Sequence, residues 1–136
     1  MVEADDEDNA EDEPSRFECA FFCTDQGNEP VREWLRSLPV EAKKEIGSDI
    51  ERVQWQWPVS KPLVDGLGGG LYEVRTKVER IQYRVLFCIV ENTMLLVHGF
   101  VKKARTEPGE IAIGRSRLKA VKKAQGELAA RKEKGR

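Results

Sequence analysis

The sequence predicts an α+β domain in which two N-terminal helices pack on a small antiparallel sheet and a C-terminal helix follows. Three observations predict this class. Apolar residues recur at helical spacing in residues 31–57, strand-like segments follow one another in residues 71–101, and a helical pattern returns after residue 106. With one strand before the first helix, the order of elements is β-α-α-β-β-β-α, and 136 residues suit a single domain with tails.

The first strand and the first helix are predicted in the early part of the chain. Residues 17–24 form a short, aromatic-rich segment that is typical of a strand. Asn28 is expected to cap a helix with Pro30 in its first turn, where the missing N–H costs little. The apolar stripe of this helix, at positions i, i+3, i+4 and i+7, consists of Val31, Trp34, Leu35 and Leu38.

A second helix is predicted from about Val40 to Trp55, because its apolar residues continue a helical face and Pro58 ends it. That face consists of Ile46, Ile50, Val53 and Trp57. Residues 58–70 contain several Gly and Pro residues and are predicted to be a loop.

The following elements are three strands of an antiparallel meander and a last helix. The strands are predicted at Leu71–Thr76, Ile81–Val90 and Met94–Val101. Thr106 is the expected cap of the last helix. Its apolar face includes Ile111, Leu118, Val121 and Leu128.

Charge divides the chain into three predicted parts. Residues 1–15 form an acidic leader, which has eight acids and no Lys or Arg in its first 14 positions and which we expect to be disordered. Residues 16–126 form the folded domain, and residues 127–136 form a basic tail. Without the eight acids, the chain keeps 23 basic and 16 acidic side chains, a net charge of +7. This excess suits either a polyanionic partner or a purely solubilising role.

Composition argues against several classes of protein. No apolar run reaches the roughly 18–20 residues that cross a bilayer, and the acidic N-terminus is unlike a secretory signal, so we expect a cytoplasmic protein. An odd number of cysteines, Cys19, Cys23 and Cys88, argues against a disulfide framework. With His98 as the single histidine, a closed zinc site is not expected, and we predict neither a metal nor another cofactor.

Five short strings, taken in order between residues 17 and 125, resemble the RelE/HigB superfamily of bacterial toxins in its phage-derived branch. The strings are Val31-Arg32-Glu33-Trp34-Leu35 with Leu38-Pro39; Lys61-Pro62-Leu63 with Gly66-Leu67; Leu71-Tyr72-Glu73-Val74-Arg75; Tyr83-Arg84-Val85; and Phe100-Val101-Lys102-Lys103 with Thr106 and Pro108. The resemblance implies the toxin of a type II toxin–antitoxin pair. Such a toxin is an endoribonuclease, or mRNA interferase, that inhibits translation by cutting mRNA at the ribosome without a metal. It also implies a cognate antitoxin, commonly a small helix-turn-helix protein.

Seven basic residues are candidates for the site, and the resemblance implies roles for four of them. Arg75, near the end of the first meander strand, matches an important strand arginine of these toxins. Lys103, with Lys102 as the alternative, matches a basic residue that contacts the scissile phosphate, and Lys61 matches the frequent Lys-Pro of this branch. The predicted catalytic residues are therefore Arg75, Lys103 and Lys61, and the predicted RNA contacts are Lys102, Arg105, Arg84 and Arg80.

These residue types suit attack of a ribose 2′-OH on the neighbouring phosphate. The planar guanidinium of Arg binds phosphate oxygens in a bidentate way, and Lys accepts a proton where a dense positive neighbourhood lowers its pKa. Arg75 is predicted to share an outward strand face with Glu73, opposite Tyr72 and Val74, so a simple Arg75–Glu73 ion pair is the alternative to a catalytic role.

Two features leave the catalytic prediction incomplete. Residues 101–136 contain no Tyr, His or Asp, so a proton donor of the kind that some of these toxins use is missing. His98 is expected to be a semi-buried structural residue, in phase with Leu96 and Phe100 on its strand. The alternative function is a non-catalytic module of the same fold that binds RNA, the ribosome or a protein.

Overall fold

The computed structural model describes residues 16–103 and 108–134. The acidic leader, Arg105, Thr106 and the last two residues of the basic tail lie outside this range. None of the helices in the described part is both long and apolar enough to span a membrane.

The described residues form five strands and three helices. In chain order these are β1 (Glu18–Phe21), α1 (Pro30–Arg36), α2 (Val40–Gln56), β2 (Val64–Gly68), β3 (Leu71–Val78), β4 (Ile81–Val90), β5 (Thr93–Val101) and α3 (Pro108–Lys134). The predicted α+β class, with two N-terminal helices and a C-terminal helix, is confirmed.

The sheet has the strand order β1-β5-β4-β3-β2 and differs from the prediction in two respects. β1 pairs with β5 in parallel, so the sheet is mixed, whereas β2 to β5 pair as antiparallel neighbours. Residues 64–68, predicted as loop, form the edge strand β2 beside β3. The glycines in this segment have low strand propensity, so the sequence does not indicate a strand. The strand forms because its backbone bonds to β3 and Val64 is buried.

Helices cover both faces of the sheet. The helix-pair face lies under α1 and α2 and buries Val31, Ile46, Val53, Val74, Val85, Phe87, Met94 and Leu96. The α3 face lies under α3 and buries Leu71, Leu86, Cys88, Val97, Phe100 and Leu118. Because β4 is covered on both sides, residues 83–88 are all buried, which explains why this strand is a nearly continuous apolar run.

The start of α1 differs in detail from the prediction. The residue before the helix is Glu29, and its side chain makes no capping hydrogen bond. The backbone N–H of Asn28 instead donates to the hydroxyl of Thr24 at 3.0 Å. Asn28 therefore closes the preceding turn, and the prediction that it caps the helix was wrong.

A β-bulge in β5 changes the side of the sheet on which residues after Leu96 lie. Phe87 pairs with Leu96, whereas Leu86 pairs with His98, so Val97 is an extra residue on β5. Leu96 consequently belongs to the helix-pair face, and His98 lies with Phe100 on the α3 face. The predicted phase of His98 with Leu96 was therefore wrong.

Polar contacts fasten α3 to its face of the sheet. The Nε2 atom of His98 lies 2.6 Å from Oε1 of Glu110, near the start of the helix. Further along the helix, Arg117 donates from Nη1 to the carbonyl of Val97 at 2.8 Å, and Arg115 donates from Nη2 to the carbonyl of Leu67 at 2.6 Å. The beginning of α3 is thereby fixed beside the ends of β2 and β3.

Candidate functional site

Four charged side chains from three adjacent strands meet on the α3 face. In the sheet register, Asp65 of β2 is opposite Glu73 of β3, and Arg75 of β3 is opposite Arg84 of β4. Because Glu73 and Arg75 are two residues apart, both point to the same side as Leu71, which is buried under α3. We call Asp65, Glu73, Arg75 and Arg84 the strand charge cluster.

Arg75 lies between two carboxylates. Its Nη2 atom is 3.1 Å from Oδ2 of Asp65, and its Nε atom is 3.2 Å from Oε1 of Glu73. About a third of the side chain (34%) is exposed. The ion pair with Glu73 that the sequence suggested is present, and Asp65 adds a second carboxylate that holds the guanidinium in a fixed orientation.

Arg84 is the buried arginine of the cluster, with only 7% of its side chain exposed. Its Nη1 donates to the carbonyl of Tyr83 at 3.0 Å, and its Nη2 donates to Oε1 of Gln82 at 2.7 Å. Its Nε lies 3.7 Å from Oε1 of Glu73 and has no hydrogen-bond partner among the described residues. Burial lowers the pKa of the Arg84 guanidinium, and the charge of Glu73 opposes that change.

Two cavities adjoin the cluster, and Arg75 lines both of them. The smaller, of about 200 Å³, is lined by Asp65, Leu67, Glu73, Arg75, Phe100, Lys102 and Ile111. The larger, of about 430 Å³, lies along the part of β3 that β2 does not cover and is lined by Asp49, Arg52, Pro62, Leu63, Arg75, Thr76, Lys77, Gln82 and Arg84. The side chain of Arg75 therefore has open space on two sides into which it can move when it leaves its ion pairs.

The predicted lysines reach this site to different degrees. The Nζ atom of Lys61 lies 3.7 Å from Oδ1 of Asp65, and its side chain is 67% exposed at the rim. Lys102 lines the smaller cavity, and its backbone N–H donates to the carbonyl of Gln82 at 2.7 Å, which fixes the chain directly after β5. Lys103 is exposed, and Lys102 is the lysine of this pair that lines the cavity.

Of the two remaining predicted contacts, Arg80 is described by the structure and is not brought together with the cluster. Arg80 is exposed in the turn between β3 and β4, about 16 Å along the strand from Arg75 at ~3.3 Å per residue. Arg105 lies outside the described residues.

The sequence indicated Glu73 as a partner of Arg75 but not Asp65, the second carboxylate of the site. Asp65 lies in the segment predicted as a loop, where no strand face could be assigned to it. The burial of Arg84 was not predicted. Arg84 shares a sheet face with Arg75, which the alternation in β3 indicates to be exposed, but α3 covers that face. The signal in the sequence is the charged residues at alternating positions of β3, Glu73 and Arg75, followed by a charged residue within the apolar run of β4.

The chemistry of the cluster suits an anion that carries several oxygens. Arg75 presents a partly exposed guanidinium at both cavities, Arg84 lines the larger one, and Lys102, whose Nζ donates to the carbonyl of Lys103 at 3.2 Å, lines the smaller one. Phosphate oxygens accept hydrogen bonds from such N–H groups and can take the place of carboxylate oxygens. Within residues 16–103 and 108–134, no group of three His, Cys, Asp or Glu side chains converges in a way that would hold a metal ion.

Comparison with known proteins identifies the family. A search of curated proteins found no match. A family model described as Phage derived protein Gp49-like (DUF891) matches residues 33–119, which include the whole strand charge cluster. Since the match spans more than half of the 136 residues, the chain belongs to the phage-derived Gp49-like family, which is associated with toxin–antitoxin systems and is HigB/RelE-like.

Proposed function

We propose that this chain is the toxin of a type II toxin–antitoxin pair, and that it is a metal-independent endoribonuclease that cleaves mRNA at the ribosome in the cytoplasm. Membership of a toxin–antitoxin-associated family supports the toxin role. The observation that carries the nuclease proposal is the pairing of a partly exposed Arg75 with a buried Arg84 beside one cavity. The net charge of +7 outside the leader supports RNA as the ligand.

In this proposal the two arginines stabilise the transition state. Attack of a 2′-OH on phosphorus places additional negative charge on the phosphate oxygens. Arg75 exchanges a carboxylate partner for one of these oxygens, while the buried charge of Arg84, which lines the larger cavity with Arg75, adds to the positive potential there. Lys61, at the rim, contacts the RNA backbone, and Lys102 is the ammonium group nearest the reacting phosphate.

We also propose a cognate antitoxin as the protein partner, most simply a small helix-turn-helix protein encoded beside this chain. The family association supports an antitoxin. The mRNA and the ribosome are the further partners that the nuclease function requires.

A non-catalytic RNA- or ribosome-binding module is the second candidate, and the ion pairs of Arg75 favour it. A guanidinium already compensated by Asp65 and Glu73 gains less from a phosphate than an unpaired one does. Such a module inhibits growth without producing new mRNA ends, which separates the two candidates.

The test is induced expression with and without the neighbouring gene, with growth and the 5′ ends of mRNA as readouts. We expect growth arrest and new mRNA ends without the neighbour, and neither with it. Arg75→Ala should relieve both effects, whereas Arg36→Ala, at an exposed position at the end of α1, should relieve neither. Arrest without new ends favours the binding module, and no arrest at all contradicts the toxin role.

A further inference from the structure

Glu73 is the residue of the strand charge cluster that ion pairing alone leaves unexplained. It is 8% exposed, and its recorded contacts with Arg75 and Arg84 both use Oε1, at 3.2 and 3.7 Å from the two Nε atoms. Its Oε2 atom makes no hydrogen bond to any described residue and is not among the buried unpartnered atoms. Because Glu73 lines the smaller cavity, Oε2 is the oxygen available to a ligand there.

We propose that Glu73 is the proton acceptor of RNA cleavage, an inference that rests on the proposed nuclease function. A carboxylate is ionised at neutral pH, whereas a lysine must first lose a proton before it accepts one. The two arginines hold the carboxylate through Oε1, which leaves Oε2 as the oxygen without a hydrogen bond to any described residue. With this assignment a lysine is needed only as the proton donor, a role that suits a protonated ammonium group.

Other carboxylates near the site are less suited to this role. Both oxygens of Asp65 are engaged, with Oδ2 at 3.1 Å from Arg75 and Oδ1 at 3.7 Å from Lys61. Asp49 accepts a hydrogen bond from the hydroxyl of Thr76 at 2.7 Å, and Thr76 lies on the other side of β3 from Glu73 and Arg75. Glu73 is therefore the carboxylate that both lines the smaller cavity and has an oxygen without a partner among the described residues.

The reaction balances with residues that line this cavity. Oε2 of Glu73 takes the proton of the ribose 2′-OH as that oxygen forms its bond to phosphorus. The bond between phosphorus and the 5′-oxygen breaks, and its electron pair leaves with the 5′-oxygen, which takes a proton from the ammonium group of Lys102. The products are a 2′,3′-cyclic phosphate and a 5′-hydroxyl, and solvent returns the proton from Glu73 to Lys102.

The first experiment compares purified full-length Glu73→Gln with the parent on mRNA bound to translating ribosomes. Gln retains an oxygen for Arg75 but accepts a proton poorly, so the cleavage rate should fall roughly 10²–10⁴-fold. Affinity for an RNA with a 2′-deoxy scissile nucleotide should stay within about threefold of the parent, since the phosphate contacts remain. Glu45→Gln, exposed on α2, is the matched control and should cleave like the parent.

A second experiment separates a proton acceptor from a residue that only positions Arg75. Glu73→Asp restores a carboxylate on a shorter side chain and should recover at least about tenfold of the rate lost in Glu73→Gln. An RNA with sulfur in place of the scissile 5′-oxygen has a leaving group that needs no proton. This substrate should restore cleavage by Lys102→Ala but not by Glu73→Gln.

The outcomes distinguish this inference from the proposed function. If the parent cleaves and Glu73→Gln cleaves within about threefold of it, Glu73 is not the acceptor and the nuclease function stands. Recovery of Glu73→Gln on the sulfur substrate also overturns the assignment. If Glu73→Gln does not fold, a Glu73→Asp variant that folds but is inactive on both substrates overturns it as well. A parent that cleaves no RNA removes the proposed function and this inference with it.

Discussion

Among the charged residues that the structure describes, Arg84 stands apart because it is buried and yet has an N–H without a hydrogen bond. We expect Arg84→Leu to lower the free energy of unfolding by about 1–3 kcal/mol, since Glu73 then keeps a single guanidinium partner and Gln82 loses its own. The double variant Arg84→Leu/Glu73→Leu should lose less than the sum of the single variants, because no unpaired buried carboxylate remains. Denaturant unfolding measures both values.

The control for this prediction is Arg36→Leu on the exposed surface of α1, which should change stability by less than about 0.5 kcal/mol. Additive losses in the double variant would show that Arg84 and Glu73 do not interact across their 3.7 Å separation. Arg84 would then owe its position to Tyr83 and Gln82 alone.

At the scale of single residues, the sequence identifies the basic part of the site better than the acidic part. Arg75 and Lys61 are brought together, but the residue that joins them is Asp65, which has no recognisable pattern around it. The register between the neighbouring strands β2, β3 and β4 decides which charges meet. That information is absent from the local spacing that reasoning from the sequence uses.

The elements are predicted well where their periodicity is strong and poorly where tertiary pairing creates them. β4 was predicted at the same residues, Ile81–Val90, and α2 within one residue of its end at Gln56. β2 was missed because two of its five residues are glycines, two more glycines follow it, and the strand exists through its bonds to β3. The bulge at Val97 was missed because one additional residue leaves the apolar pattern of β5 unchanged.

Packing of α1 against β5 depends on the absence of a side chain at Gly99. A Cβ atom built there would overlap the ring of Trp34, which also packs edge-on against Tyr83. Gly99→Ala should therefore lower the free energy of unfolding by about 1–3 kcal/mol, the usual cost of overpacking. Adding Trp34→Leu should recover part of this loss, as measured by denaturant unfolding.

Gly47 provides the opposite case on α2, since nothing lies within 4 Å of a Cβ atom built there. Gly47→Ala should raise stability by about 0.4–1 kcal/mol, because Ala is the better helix former and restricts the unfolded chain. Equal effects of the two alanine substitutions would contradict the close contact between Gly99 and Trp34.

For the whole molecule, cover on both faces of the sheet explains how the candidate site is formed. The helix-pair face carries the larger apolar cluster, so the α3 face has room for charges where the start of α3 meets the ends of β2 and β3. Burial there removes water from Arg84 and Glu73, which strengthens each ionic contact. An additional anion that reaches this site would be bound more strongly for the same reason. Stability and proposed function thus depend on the same four side chains.

The distribution of charge along the whole chain gives the last prediction. Residues 1–14 carry eight acids, and the rest of the chain has a net charge of +7, so we expect the leader to compete with RNA for the same basic side chains. Because exposed charges are screened beyond ~8–10 Å at ordinary ionic strength, this competition should weaken as salt rises. We expect deletion of residues 1–14 to tighten binding of a short single-stranded RNA at low salt, and the difference from the full chain to disappear at high salt. A full-length variant with the eight acids changed to Asn and Gln should bind as the deletion does if charge is the cause, whereas equal affinities of all three chains at low salt would show that the leader does not reach the RNA site.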